Sequence, residues 1–308
     1  MDAMVRRRLE NRLQRKFGSH AVLYGKYAPQ IPASADREYR RIVNAYLGLL
    51  KEALETELAQ FSQTYPRERD AEIRGRRSDG ATDIMLAIAA VFAAIENRLI
   101  SSIDGFGLRR RLENLANLTR KLTVKEWKKA VKATLAIDIR EDYYLGDFYA
   151  EQLLIWIQEN VDLIKTIPKD SLDKMRDIVY EGYVSGKTMT AMMKDIRRVY
   201  GVSKRRALFI ARDQIAKLNG RIQRAQQMDA GISEYIWSTS EDERVRKSHR
   251  ELNGKKFSWD DPPENSDGRK CHPGQDFQCR CIGRPVFKRD TLNLPIDEDA
   301  LKMKITVR

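Results

Sequence analysis

The stretch SEYIWSTSEDERVRKSHRELNGKKFSW, residues 233–259, decides the fold. It opens on a strand-like run, SEYIWSTS, rich in β-branched and aromatic residues, and closes on a second, KKFSW. Between them EDERVRKSHRELNG reads as a charged helical turn ending at Gly254. A loop rich in Pro, Gly and Asp follows, and then a last strand, CIGRPVF, at 281–287. Residues 232–288 are therefore expected to form a small α+β module.

Upstream of this stretch the periodicity is helical. Val5, Leu9, Leu13 and Phe17 recur every four residues inside a basic segment, a short helix over 1–17. Tyr39, Ile42, Val43, Tyr46, Leu47, Leu50, Leu54, Leu58 and Phe61 trace one face of a long helix over 36–65, closed by Pro66. PRERDAEIRGRRSDG, 66–80, reads as a charged surface loop. Helices are expected over 82–102 and 108–122. Thr123 stands at an N-cap position with Glu126 three residues on, a capping-box pattern for the next helix. Helices continue over 144–167 until Pro168 breaks them. Further helices are expected over 171–183 and 188–200, the latter ended by Gly201. Ser203 then caps a long third helix that stops at Gly231.

The expected class is thus mainly α: a long helical N-terminal half without strand signal, followed by a small α+β C-terminal module. Its divisions are a helical region at 1–170, a second region at 171–288 (helices 171–231, α+β module 232–288), and a tail at 289–308.

The chain has 308 residues, with 57 Lys and Arg against 44 Asp and Glu, a formal balance of +13. One residue in three is charged and only nine are proline, which excludes collagen, Pro-rich disorder and a polytopic membrane protein. The longest apolar run, IMLAIAAVFAAI at 84–95, is short of the roughly 20 residues that span a bilayer. It reads as a buried helix, with an interfacial membrane helix as the alternative. The basic N-terminus lacks the apolar core of a secretory signal.

The positive charge is localised. Residues 1–20, 107–132 and 203–227 carry net charges of +4, +7 and +6, together more than the whole-chain balance. Phosphate backbones need positive side chains but no special geometry. Arg109, Arg110, Arg111, Lys125, Lys128, Lys129, Lys132, Lys204, Arg205 and Arg206 are the candidate contacts to double-stranded DNA; a solvated helix face is the alternative. Helix–turn–helix spacing can be drawn over 188–220, though two helices meeting at a Gly are common in helical proteins.

His249, Cys271, His272, Cys279 and Cys281 hold every cysteine and two of the three histidines within 33 positions. Thiolate and imidazole are the ligand set of structural zinc. The spacing is irregular, since Cys279-Arg280-Cys281 lacks the two-residue gap of a zinc knuckle. In extended chain, however, both sulfurs face one side. Buried thiols beside a hydrogen-bonded histidine are the other reading. A Cys279 or Cys281 nucleophile with His249 as base, oriented by Asp242 or Asp276, is a catalytic alternative. A divalent metal on Asp242, His249 and Asp276 is another. Neither comes with its sequence motif, and the chain is expected not to be an enzyme.

The run RALFIARDQIAKLNGRIQRAQQMDAGISEYIW, the turn EDERVRKSHRELNGKKF, then HPG and CRC together resemble the phage Mu F-like head morphogenesis family, over about residues 175–287. The family motif falls on Trp237, Asp242, Arg244, Arg246, His249, Gly254, Pro273, Cys279, Arg280 and Cys281. One departure is that QDFQ separates HPG from CRC, where the family often has its Pro close to the cysteines. The resemblance implies a minor capsid protein of a tailed phage or prophage. Such a protein associates with the portal and other head proteins inside the virion head after assembly in the host cytoplasm. It binds DNA without sequence preference and assists DNA delivery. A metal-dependent enzyme acting on nucleic acid, or a toxin-like relative of the module, is the alternative. The first 170 residues lie outside the resemblance.

Overall fold

The computed structural model describes residues 3–19, 22–64, 79–185, 187 and 189–296. Helix α1 (Ala3–Phe17) is followed by a short strand β1 (Val22–Tyr24) and by helices α2 (Ala33–Thr64), α3 (Asp79–Phe106), α4 (Leu108–Leu135) and α5 (Glu141–Leu145). A 3-10 turn at Asp147–Tyr149 leads into α6 (Ala150–Val184) and α7 (Met189–Asp229). Then come β2 (Glu234–Ser238), α8 (Lys247–Arg250), β3 (Lys256–Ser258) and β4 (Ile282–Lys288). The class is mainly α with a small α+β module near the C-terminus.

The chain forms two compact units. One comprises Met1–Asp36, Asn114–Trp156 and Arg212–Arg308; the other comprises Arg37–Glu113 and Ile157–Ala211. In the second unit the stripe from Tyr39 to Phe61 on α2 is buried as its spacing implies, and Ile88, Phe92, Ile95 and Leu99 of α3 are buried too. The Tyr39 hydroxyl donates to Asn160 Oδ1 at 2.6 Å, inside that core. Helix α3 departs from the buried-helix expectation, because Met85, Leu86 and Ile100 are exposed. Its Met85–Ser102 stretch is long and apolar enough to cross a membrane by length and composition.

The first unit holds an antiparallel sheet of order β1-β4-β2-β3. Val22 pairs with Lys288, Tyr235 with Pro285 and Glu234 with Ser258. Tyr235, Ile236 and Trp237 of β2 are all buried, so both faces of that strand are covered. Trp127 of α4 stacks on Phe287 of β4 with ring centroids 6.2 Å apart. Beyond β4, Leu292, Leu294 and Ile296 are buried. Asn293 N–H donates to Ala230 O at 2.9 Å, so 289–296 pack back onto the unit. Residues 297–308 lie outside the described residues, as do Tyr65 and 66–78 of the expected charged loop.

Five local expectations are corrected. A strand does precede residue 232: β1 pairs as an edge strand with β4, at a separation where three residues carry no visible period. Helix α6 runs through Pro168. The fixed φ of proline suits a helix, but its N–H bond to the preceding turn is forfeited and its ring crowds the carbonyl four residues back, costs that the surrounding packing offsets here. Nearby, the Thr166 hydroxyl donates to Leu163 O at 2.8 Å and the Ser171 hydroxyl to Ile167 O at 2.8 Å. Helix α7 is continuous through Gly201, which also removes the helix–turn–helix reading. Ser203 is no cap: its hydroxyl donates back to Val199 O at 3.0 Å and meets Ser171 Oγ at 2.6 Å in a buried pair. Thr123 likewise lies inside α4, where its Oγ1 bonds Thr119 O at 2.9 Å and Asn219 Oδ1 at 2.9 Å.

Candidate metal centre

Two segments of the first unit build the site. The first is the turn between β2 and β3. Asp242 Oδ1 accepts from Arg244 N–H at 3.0 Å, and Asp242 O accepts from Val245 N–H at 3.1 Å, which folds the chain over before α8 begins. Gly254 N–H donates to Trp237 O at 2.8 Å, so the turn closes on β2. His249 on α8 is thereby buried, its ring edge-on to Trp237 at 5.3 Å.

The second segment is the loop 271–281, which seats on α7. A Cβ on Gly220 would lie 3.2 Å from Pro273 O, and one on Gly274 would lie 3.3 Å from Ala216 O. This close approach of backbones is what the two glycines permit. Asp213 of α7 accepts from Gln278 N–H at 2.6 Å and fixes the far end. Cys279 and Cys281, two residues apart, then face inward, while Arg280 between them faces outward and grips both Asp242 oxygens. That bidentate pair holds the exposed Asp242 carboxyl down to about 2.

Inside, His249 Nδ1 lies 3.5 Å from Cys279 Sγ and 3.6 Å from Cys281 Sγ. Its Nε2 lies 3.1 Å from Asp276 Oδ2. The same oxygen receives Arg246 at 3.2 Å and Arg269 at 3.2 Å. Cys279 Sγ accepts from Gly274 N–H and from Cys281 N–H, each at 3.4 Å. His249, Cys279 and Cys281 are at most 3% exposed, and all three cysteines are free. The Cys271 thiol, then Cys279 and Asp276, raise His249 to about 10 against its burial. Hydrogen bonding from Cys281, then from His249 and Gly274, holds the Cys279 thiol well below its usual range. Cys281 is pushed the other way by its hydrogen bond to Cys279, by burial and by the charge on Cys279.

Two ligand groups converge on the histidine: His249, Cys279 and Cys281, and His249, Cys271 and Asp276, each within 4.8 Å. His272 belongs to neither, which corrects its place in the expected ligand set. Its Nδ1 faces the Tyr235 hydroxyl at 3.0 Å, and burial followed by the Arg224 charge depresses it to about 4. Asp242 is engaged by Arg280 at the surface. Sequence reasoning reached Asp276 but not Arg269, Asp213 or Tyr235. Arg269 and Asp213 are ordinary surface residue types at unremarkable spacing, and Tyr235 was legible only as strand core.

The candidate DNA contacts fall in both units. In the second, Arg109, Arg110, Arg111, Lys204, Arg205 and Arg206 are exposed. Arg109 bonds Gln158, Arg111 lies over the Phe106 ring at 4.5 Å, and Arg206 pairs with Asp170 at 3.0 Å. In the first, Lys125, Lys129 and Lys132 are exposed and Lys128 is half-buried. Lys128 pairs with Glu141 at 3.4 Å, Lys129 with Glu126 at 2.6 Å and Lys132 with Asp138 at 2.9 Å.

All ten family-motif residues lie on β2, the turn, and the loop that reaches back to it. Residues 173–283 match the family model described as Phage Mu protein F like protein. This segment is similar to the phage Mu F-like proteins. The match bears out the resemblance over nearly the span inferred from the motif. The Mu F-like segment takes in the last turns of α6, all of α7, β2, the turn, β3 and the cysteine loop. A Haemophilus influenzae protein described as "Uncharacterized protein" is 43% identical over 131 residues. That alignment covers 42% of this chain and 28% of the relative, so the chain spans well under a third of the relative's length. No solved structure matches the chain.

Proposed function

We propose that the protein is a minor head protein of a tailed phage or prophage. It docks on the portal with other head proteins, contacts packaged DNA through its phosphate backbone, and assists assembly and DNA delivery. The observation that carries this reading is the match of residues 173–283 to the phage Mu F-like family. The exposed cations of α4 and α7 support the DNA part, since sequence-independent binding asks only for accessible positive charge.

The role is structural rather than enzymatic. Cys279, His249 and Asp276 line up as nucleophile, base and orienting carboxylate would, but all three are buried, which supports a scaffolding job. The surface pocket beside the turn is lined by Thr239, Glu241, Asp242, Glu243, Arg250 and Asn253. The cluster side chains are not among them. The test is co-expression with a portal protein from the same phage or prophage: recovery of a stable complex is expected, and two proteins that separate on every column would overturn the portal role.

A further inference from the structure

The geometry points to a structural zinc ion held by His249 Nδ1 and the sulfurs of Cys271, Cys279 and Cys281. A tetrahedral zinc with bonds of about 2.0–2.1 Å to nitrogen and about 2.3 Å to sulfur puts N and S about 3.5 Å apart. The two Nδ1···Sγ distances are 3.5 and 3.6 Å. A ring nitrogen has one in-plane lone pair, so one hydrogen bond explains one of these sulfurs. Two at equal distance from the same nitrogen are what a shared ion produces.

The surroundings are those of a metal-bound imidazole. His249 Nε2 faces Asp276 Oδ2 at 3.1 Å, which leaves Nδ1 as the ligand atom, and the carboxylate–histidine–zinc arrangement orients and strengthens such a ligand. Asp276 is itself held by Arg246 and Arg269 at 3.2 Å each. Two backbone N–H groups point at Cys279 Sγ, which steadies a thiolate. Cys271 shares the second group on the same histidine and the same buried cluster as Cys279 and Cys281; its sulfur does not join the first group within 4.8 Å, so it fills the fourth position by moving in on the ion. Four protein ligands leave no site for water, so the ion pins the loop 271–281 to the turn 241–254 and performs no reaction. The donors are soft sulfur and imidazole, which favour zinc over magnesium or calcium. This inference stands whether or not the head-protein reading does.

The full chain, purified without chelator, is assayed for metal by elemental analysis, and its zinc is exchanged for cobalt. One zinc per chain is expected, with the intense visible absorption of tetrahedral thiolate-bound cobalt. Cys279→Ser and Cys271→Ser each lower zinc affinity at least tenfold, while His272→Asn keeps one equivalent. Wild-type protein that stays folded at below a tenth of an equivalent, and takes up none when zinc is added, overturns the site. Full occupancy in Cys271→Ser overturns the four-ligand assignment. Because both key measurements use wild-type protein or a single conservative change, a variant that fails to fold does not decide the outcome.

Discussion

Asp276 Oδ2 stands 3.1 Å from His249 Nε2 and is shared by two guanidinium groups, those of Arg246 and Arg269. A buried carboxylate with three donors is the hub that joins the turn to the loop. Asp276→Asn keeps the shape but loses the charge, leaving two arginines facing a neutral amide. Unfolding in urea is expected to show a loss of about 2 kcal/mol, the scale of a charge-assisted hydrogen bond. Zinc affinity, measured by competition with a chromophoric chelator, is expected to fall about 10- to 100-fold, as for other partners of metal-bound histidines. Unchanged values in both measurements would show the carboxylate to be a bystander.

DNA binding is read from its salt dependence. Charge reversal of Lys125, Lys128, Lys129 and Lys132 is expected to flatten the slope of log affinity against log salt by about 0.9 for each phosphate no longer neutralised. Three of these lysines already face Glu141, Glu126 and Asp138, so their share is smaller than that of Lys125. Reversal of Lys204 and Arg205 in the other unit serves as the comparison. Anisotropy titrations on duplexes of unrelated sequence give the slopes. A wild-type protein with no binding at low salt, or with a salt-independent affinity, would end the DNA reading.

Glu126 gives a pH prediction. Burial acts to raise its carboxyl, but bonds from Lys129, the Tyr27 hydroxyl and Gln30 N–H outweigh that and hold it below its ordinary value. A group lowered on folding contributes stability that is present above its unfolded value near 4.5 and lost as pH falls through the folded one. Glu126→Gln is therefore expected to cost about 2 kcal/mol at pH 7 and less at an acid pH below the unfolded value near 4.5. Urea unfolding at both pH values checks it. A gap of equal size at the two would place the effect in shape rather than charge.

The same residues show how far the sequence carried. The apolar stripe of α2 and the alternation through Cys279-Arg280-Cys281 were legible because each depends only on the period of its own element. Thr123 and Ser203 misled because a hydroxyl that caps a helix can equally bond the preceding turn. What decided between the two was a partner far along the chain, Asn219 or Ser171. Pro168 misled because the lost N–H bond and the crowded carbonyl of the preceding turn are local costs that tertiary packing along a long helix can outweigh. Strand β1 left no trace, since three residues become a strand only through β4. At the cluster, residue types named His249 and the cysteines. That Cys271 and not His272 groups with His249 depends on how the loop folds back, which residue types alone do not give.

Gly231 tests how the tail is fixed. It ends α7 at φ +75°, a left-handed conformation that costs an L side chain about 1–2 kcal/mol. Ile232 N–H bonds back to Gln227 O at 2.9 Å and Gly231 N–H to Met228 O at 3.0 Å, the pattern that closes a helix at glycine. A Cβ here would sit 1.9 Å from Thr291 O, and that atom is backbone, so nothing flexible can give way. Thr291 is also tied in by its hydroxyl, which donates to Gly231 O at 2.8 Å, and Asn293 N–H bonds Ala230 O. Gly231→Ala must therefore push residues 289–296 away from the end of α7. The expected loss in urea unfolding is more than about 2 kcal/mol, strain and displaced tail together. Hydrogen exchange should quicken at Asn293, whose bond to Ala230 O is broken, while Tyr39 and Ile42, in the core of the other unit, keep their protection. A variant with less than about 0.5 kcal/mol of loss and an unchanged Asn293 amide would mean that the tail does not rest on the helix end.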